Sequence, residues 1–138
     1  MNREWLIETW SYNTWANLRW LPVAPTCGGD DVMRHILQVE ARWLQRLKGE
    51  KPTRNQTINE AQIRKNEADW AEFLATCDFD RVLEIVGVFD RGTVHMSCKE
   101  IALHTLNHST YHRGHLRRLA EEAGIDWPES DRCYWTIR

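Results

Sequence analysis

The spacing of apolar residues along the chain predicts four long helices. Apolar side chains recur every three or four positions in four segments: 4–21, about 31–48, about 57–77 and about 98–123. Pro22 ends the first segment, and Gly49 and Gly124 end the second and the last. Four amphipathic segments in 138 residues predict an all-α four-helix bundle, formed by a single domain over residues 1–138.

Polar residues mark the starts of these helices. Asp30 or Asp31 is a candidate N-cap for the second helix. Two pairs have the spacing of a capping box: Thr57 with Glu60, and Ser97 with Glu100. The first pair predicts the start of the third helix, and the second pair predicts the start of the last helix.

The pattern changes between the third and the last helix. "VLEIVGVF" (82–89) is short and rich in β-branched residues, "DRG" is a turn signal, and "TVHMS" (93–97) can return as a second strand. We therefore expect a short β-hairpin-like insertion before the last helix. The tail, "IDWPESDRCYWTIR", is expected to be a loop whose aromatic residues are available for packing.

The first helix carries apolar residues on two faces. One face holds Ile7, Trp10, Thr14, Leu18 and Leu21, and the other holds Trp5, Tyr12, Ala16 and Trp20. One face fills a core, so the other must be covered by the chain's own tail or by a second subunit. We expect a homodimer; in a monomer, the tail from Trp127 to Trp135 would cover this face.

Composition narrows the classes of function. The net charge of -2 gives no electrostatic reason to bind nucleic acid or an acidic membrane surface. No apolar run approaches the roughly 20 residues of a membrane-spanning helix, and the first residues lack the pattern of a signal peptide. The four cysteines form no CxxC pair, so we expect reduced thiols in a cytoplasmic protein.

Four of the six histidines lie in "HTLNHSTYHRGH" (104–115). A helical projection puts His108 and His112 within about 20° of Ile101, at the centre of the predicted apolar face and one turn apart. Imidazoles at positions i and i+4 can hold one ion from the same side, and His35 on the second helix is the third candidate. The alternative for each is a hydrogen-bonded core histidine. His95, in the hairpin, is expected to be exposed.

Three stretches, "YNTWAN", "HILQVEARWLQRLKG" and "HTLNHSTYHRGH", resemble the DNA-damage-inducible DinB/YfiT-like family of metal-dependent proteins. The similarity covers essentially the whole chain, including "GIDWPESDRCYW". It implies a four-helix bundle with up-down-down-up connectivity, often dimeric. It also implies a divalent ion, nickel or zinc, held by His35, His108 and His112. His104 is at a position that is often histidine in the family but is not a usual ligand.

One residue departs from the family pattern. The family motif commonly reads "YHRGQ", whereas this chain reads "YHRGH", so His115 is additional. It could be a fourth ligand, a proton carrier or a hydrogen-bond partner of a ligand, and we expect it to tune the site rather than complete it. Gly114 beside it lies in mid-helix, which indicates either a close approach of another backbone or a tolerated glycine.

Three histidines with open coordination positions are typical of a catalytic metal site. The resemblance implies a metal-dependent enzyme, either a thiol S-transferase acting on a low-molecular-weight thiol or a hydrolase-like protein. The alternative is a non-catalytic, stress-related dimeric bundle that binds a metal or another ligand. Tyr111, Asn107 and Glu40 are candidate hydrogen-bond partners of the site; otherwise they are a core aromatic, a surface polar residue and half of an ion pair.

Overall fold

The chain is mostly helical, with one small antiparallel sheet. The computed structural model describes residues 2–55 and 57–138. The helices are α1 (Arg3–Trp20), α2 (Asp30–Leu47), α3 (Glu60–Thr76), α4 (Cys98–Ala123) and α5 (Arg132–Ile137), and a short 3-10 turn covers Ala24–Cys27. The strands are β1 (Val82–Phe89) and β2 (Gly92–Ser97). The four long helices and the hairpin before the last of them are confirmed.

The start of α3 differs from the predicted one. The helix begins at Glu60, and the side chain of Asn59 accepts a hydrogen bond from the backbone N–H of Gln62 at 2.8 Å. Thr57 belongs to a preceding turn, where its N–H donates to Asn55 Oδ1 at 2.9 Å. The predicted capping box at Thr57 is therefore wrong, because Asn59 satisfies the orphan donor instead.

The other helix ends follow the sequence signals more closely. Gly29 is the N-cap of α2, so Asp30 and Asp31 lie in the first turn, where carboxylates favour the helix dipole, and neither caps the helix. Ser97 Oγ accepts from the Glu100 N–H at 3.3 Å and starts α4 as predicted. Gly124 ends α4 with φ 69°, a left-handed conformation that glycine adopts without steric cost.

The four long helices pack through two apolar clusters. α1 and α2 each pack against both α3 and α4. The first cluster contains Leu6, Trp10, Trp43, Leu44, Leu47, Trp70, Leu74, Ile85, Cys98, Ile101, Ala102 and Leu106. The second contains Trp20, Ala24, Met33, Ile36, Leu37, Ile63, Leu116 and Ala120. Each long helix therefore contributes one end to each cluster.

The segment between α2 and α3 runs back along α2. Its backbone carbonyl oxygens accept hydrogen bonds from α2 side chains: Thr53 from Arg42 at 3.2 Å, and Asn55 from Gln38 at 2.8 Å. Ile58 then packs against the second apolar cluster, which includes the first half of α2. The chain therefore enters α3 near the level at which α2 begins.

The hairpin packs one of its faces on the first cluster. β1 and β2 pair antiparallel, with Val82 opposite Ser97 and Ile85 opposite Val94, and the register shifts between Val86 and Phe89. Ile85 is buried in the cluster. Phe89, at the end of β1, stacks on Trp43 of α2 with ring centroids 6.1 Å apart. The hairpin therefore reaches the second half of α2.

The tail forms a short helix, so the predicted loop is wrong over α5; six residues are too few for apolar periodicity to reveal. Trp135 packs on Tyr12, with ring centroids 6.0 Å apart. Ser130 O accepts from the Tyr12 hydroxyl at 2.8 Å, and Ser130 Oγ accepts from Trp20 Nε1 at 2.9 Å. The chain's own tail thus covers much of the second face of α1. Trp5 stays 45% exposed, and the homodimer stays a prediction.

Glu40 of α2 is a carboxylate buried at the centre of the helices, only 1% exposed. Its Oε2 accepts hydrogen bonds from Asn13 and Asn17 at 3.0 Å each, and from Ser109 at 2.7 Å. Its Oε1 accepts from Asn66 at 3.2 Å. All four long helices contribute to this set, and both carboxylate oxygens have donors, as a buried charge requires.

Arg113 of α4 supplies the opposite charge and is 3% exposed. Its guanidinium donates to Asn13 Oδ1 at 2.7 Å and to Asn17 Oδ1 at 2.8 Å. The two asparagines therefore use their oxygens for Arg113 and their nitrogens for Glu40. We call these residues, with Ser109 and Asn66, the buried polar network.

No helix within residues 2–55 and 57–138 combines the length and apolar character needed to cross a bilayer. The four cysteines, Cys27, Cys77, Cys98 and Cys133, are all free, and Cys98 is buried.

Gly114 provides a test of helix stability in α4. A Cβ built at Gly114 meets nothing within 4 Å, so the interpretation of a close backbone approach is wrong. We expect Gly114→Ala to raise the free energy of unfolding by up to about 1 kcal/mol, measured by urea denaturation. Gly29→Ala is the matched contrast and should destabilise, because its Cβ would lie 2.6 Å from Leu116 Cδ2 and 3.2 Å from the Ala24 carbonyl. A destabilised Gly114→Ala variant would contradict the open space.

The buried polar network provides a second test. Glu40→Ala should lower the free energy of unfolding by about 3–5 kcal/mol, because it leaves the buried Arg113 charge uncompensated and several donors without an acceptor. Urea denaturation followed by circular dichroism measures the loss. Glu72→Ala, at an exposed position of α3, is the control and should stay within about 0.5 kcal/mol of the parent protein. Equal effects in both variants would mean that the network contributes no more than a surface residue does.

Candidate metal centre

α2 and α4 bring three histidines together at one side of the helices. His35, His108 and His112 each offer a ring nitrogen, and these atoms all lie within 4.8 Å of one another. His35 Nε2 and His108 Nε2 lie 3.1 Å apart. The ring centroids lie 4.3 to 4.8 Å apart. We call these residues the three-histidine group; it could hold a metal ion.

The geometry of the group fits a transition metal. In tetrahedral coordination with metal–nitrogen distances of about 2.0–2.1 Å, two ligand nitrogens lie about 3.3 Å apart. The 3.1 Å separation of the two Nε2 atoms is close to this value. Nδ1 of His108 is buried and has no hydrogen-bond partner within residues 2–55 and 57–138. The tautomer of neutral His108 with its proton on Nδ1 is the one whose Nε2 is free to bind the ion.

The three histidines lie at the edge of the core and open to solvent. His35 is exposed, and His108 and His112 are half-buried. The expectation that His108 and His112 occupy the centre of the buried face is wrong. The buried residues of α4 are Cys98, Ile101, Ala102, Thr105, Leu106, Ser109, Arg113, Leu116 and Ala120. Ser109 lies near the middle of this face because the polar network places a hydroxyl and a guanidinium in the core.

The electrostatics of the group favour neutral imidazoles. Burial lowers the pKa of His108 to about 4, and the charges of His112, His35 and His104 act in the same direction. Burial also lowers the pKa of His35. Burial, together with the charges of His35 and His115, lowers the pKa of His112. Metal ligation requires the neutral form, so the group is ready to bind near pH 7.

The remaining histidines lie outside the group. His104, one turn before His108, has its ring 5.9 Å from that of His108. His115 is exposed and borders a surface cavity of about 480 Å³ together with His112, Tyr111 and Arg118. His95 is exposed in the hairpin, as predicted.

Only one of the three expected hydrogen-bond partners lies beside the group. The ring of Tyr111 is 5.2 Å from that of His112, but its side chain is no core aromatic because it is 77% exposed. Asn107 is exposed. The Glu40 carboxylate accepts its hydrogen bonds from the asparagines and the serine of the buried polar network, not from the three-histidine group. The network is what the sequence reasoning missed, because its members read as ordinary polar positions.

An aromatic strip continues from the group toward the hairpin. The ring of His104 meets that of Trp43 edge-on, with centroids 5.7 Å apart. Trp43 in turn stacks on Phe89 and lies under the guanidinium of Arg46, whose Cζ is 5.0 Å from the ring centre. This strip extends the surface around the histidines along the second half of α2.

The fold and the site define a helical protein with a solvent-open three-histidine group that could hold a metal. Residues 30–136 match the profile of the DinB family, and the chain therefore belongs to the DinB family. The matched range begins at α2 and includes all three histidines, whereas "YNTWAN" lies before it. None of the curated proteins compared with the chain matches it.

The lowered histidine pKa values predict the pH dependence of stability in the metal-free protein. The unfolded chain takes up protons near pH 6.5, whereas folded His108 resists protonation down to about 4. Within this range the unfolded state binds more protons, so the stability present above pH 6.5 is lost as the pH falls toward 4. Urea denaturation at pH 7.5 and pH 5.5 measures how steeply the free energy of unfolding changes with pH. His108→Gln should show a shallower slope and His95→Gln the parent slope; equal slopes in all three would refute the assignment.

Proposed function

We propose that the protein is a metal-dependent thiol S-transferase that binds one divalent ion through His35, His108 and His112. The observation that carries this proposal is the convergence of three imidazoles from two helices at a surface open to solvent. Zinc and nickel both suit imidazole ligands, so the proposal includes either ion. Membership of the DinB family supports it.

The chemistry follows from the open side of the group. When bound, a divalent ion with three protein ligands acts as a Lewis acid that lowers the pKa of a thiol or a water in its free position. The chain's own contribution is to hold the imidazoles neutral and to leave that side accessible. His104 lies beside His108, and Tyr111 and His115 border the same cavity as His112, so these side chains are the candidates to exchange a proton with a bound substrate.

We infer the up-down-down-up connectivity, which is supported by the ends that each helix gives to the two clusters. The first halves of α1 and α4 join the first cluster, and the first halves of α2 and α3 join the second. A homodimer remains part of the proposal, supported by exposed Trp5 beside an apolar cavity of about 450 Å³ between α1, α4 and α5.

Metal loading tests the site. We expect about one zinc or nickel ion per chain after reconstitution, measured by elemental analysis, and loss of binding in His108→Ala/His112→Ala. Binding should also fail in acid, because protonated histidines cannot bind the ion. The loss should occur at a pH below 6.5, the ordinary histidine pKa, because burial lowers the pKa of His108 to about 4. His115→Gln is the matched control on the same helix and should keep the ion with a modest change in affinity. Full occupancy in the double histidine variant would rule out this site.

Activity separates the proposed enzyme from a binding protein. The loaded protein, mixed with a small thiol and an electrophilic acceptor, should form the thioether faster than His108→Ala/His112→Ala does. Ester hydrolysis without thiol consumption would indicate the hydrolase-like reaction instead. Full metal loading without turnover of either kind would identify a non-catalytic metal-binding bundle.

A further inference from the structure

Two arginines share the face of α2 that carries His35. Arg42 and Arg46 follow it by seven and eleven positions, about 10 Å and about 16 Å along the helix axis, and both lie within about 20° of it around the helix. The three side chains therefore line one side of a strip that begins at the three-histidine group. The aromatic rings of Trp43 and Phe89 lie alongside its far end.

The guanidinium of Arg46 is held in place without using its N–H groups. It lies over the ring of Trp43, which is itself nearly buried. Stacking of this kind leaves the donors at the edge of the guanidinium available for a planar anion. No hydrogen-bond acceptor of Arg46 is found within residues 2–55 and 57–138, and Arg42 uses one nitrogen for the Thr53 carbonyl at 3.2 Å.

Both guanidinium groups lie outside the ion pairs formed among the described residues. Burial lowers the pKa of Arg46, and the nearby charge of Arg42 acts in the same direction. Each guanidinium keeps N–H donors that have no acceptor in the part of the chain that the structure describes, and a guanidinium can bind a carboxylate through two such donors.

We propose that Arg42 and Arg46 bind the carboxylate of a substrate whose other end reaches the three-histidine group. The spacing of His35 and Arg42 along the helix axis, about 10 Å, equals the length of roughly three residues of extended peptide and sets the scale of this ligand. The ligand is therefore an organic acid of about tripeptide size that carries both a metal-binding donor and a carboxylate. That the donor is a thiol rests on the proposed function; the carboxylate end rests on the arginines alone.

Calorimetric titration with glutathione, a tripeptide thiol with free carboxylates, tests the proposal on zinc-loaded protein. Arg42→Gln/Arg46→Gln should bind glutathione at least about tenfold more weakly than the parent protein, because charge-assisted hydrogen bonds are lost. Its zinc content should be unchanged, since neither arginine belongs to the three-histidine group. Arg64→Gln, an exposed helix arginine on α3, is the control and should leave binding unchanged.

Two further ligands separate the carboxylate end from the metal end. Glutathione diethyl ester should bind the parent protein about as weakly as glutathione binds the arginine variant, and this comparison needs no substitution. S-methylglutathione has no free thiol, so its binding to metal-free protein tests the arginines alone. The parent protein should bind it more tightly than the arginine variant does, even if the protein binds no metal. Equal affinities of acid and ester, equal affinities of parent and arginine variant, or no binding of glutathione at millimolar concentration would each overturn the proposal.

Discussion

The buried pairing of Glu40 with Arg113 through two asparagines is the interaction on which the rest of the structure depends. A carboxylate inside a protein is costly unless every lone pair has a donor, and here donors come from α1, α3 and α4. Each asparagine side chain bridges the two charges, because its oxygen accepts from Arg113 and its nitrogen donates to Glu40. This geometry constrains the rotation of each long helix, because a turned helix would withdraw its donor.

The same constraint places the candidate metal centre. His108 precedes Ser109, and His112 precedes Arg113, so each histidine is turned about 100° from a residue of the buried polar network. Once the hydroxyl and the guanidinium point inward, the imidazoles must lie at the edge of the core, beside α2. A rigid interior therefore orients a solvent-open group, which is how a site can be both accessible and preorganised.

The sequence predicts the parts of this fold that rest on local signals. Apolar periodicity, Ser97 and Gly124 locate α4, and β-branched residues locate the hairpin. The i and i+4 spacing predicts that His108 and His112 lie close together, as they do in the three-histidine group. The helical projection misplaces them on the buried face, because it is based on apolar residues alone and Ser109 and Arg113 are buried polar residues. Pairings such as Asn17 with Arg113 join residues 96 positions apart, and no local pattern encodes them. The six residues of α5 are too short for periodicity to show.

The sequence separation within the buried polar network has a consequence for biosynthesis. Asn13 and Arg113 are 100 positions apart, and at about 5–20 residues per second the ribosome needs roughly 5–20 seconds to deliver the second after the first. Until Ser109 is made, the Glu40 carboxylate lacks the hydrogen bond that the Ser109 hydroxyl donates in the folded protein. Full compensation of the Glu40 charge therefore has to wait for α4, the last of the four long helices to leave the ribosome.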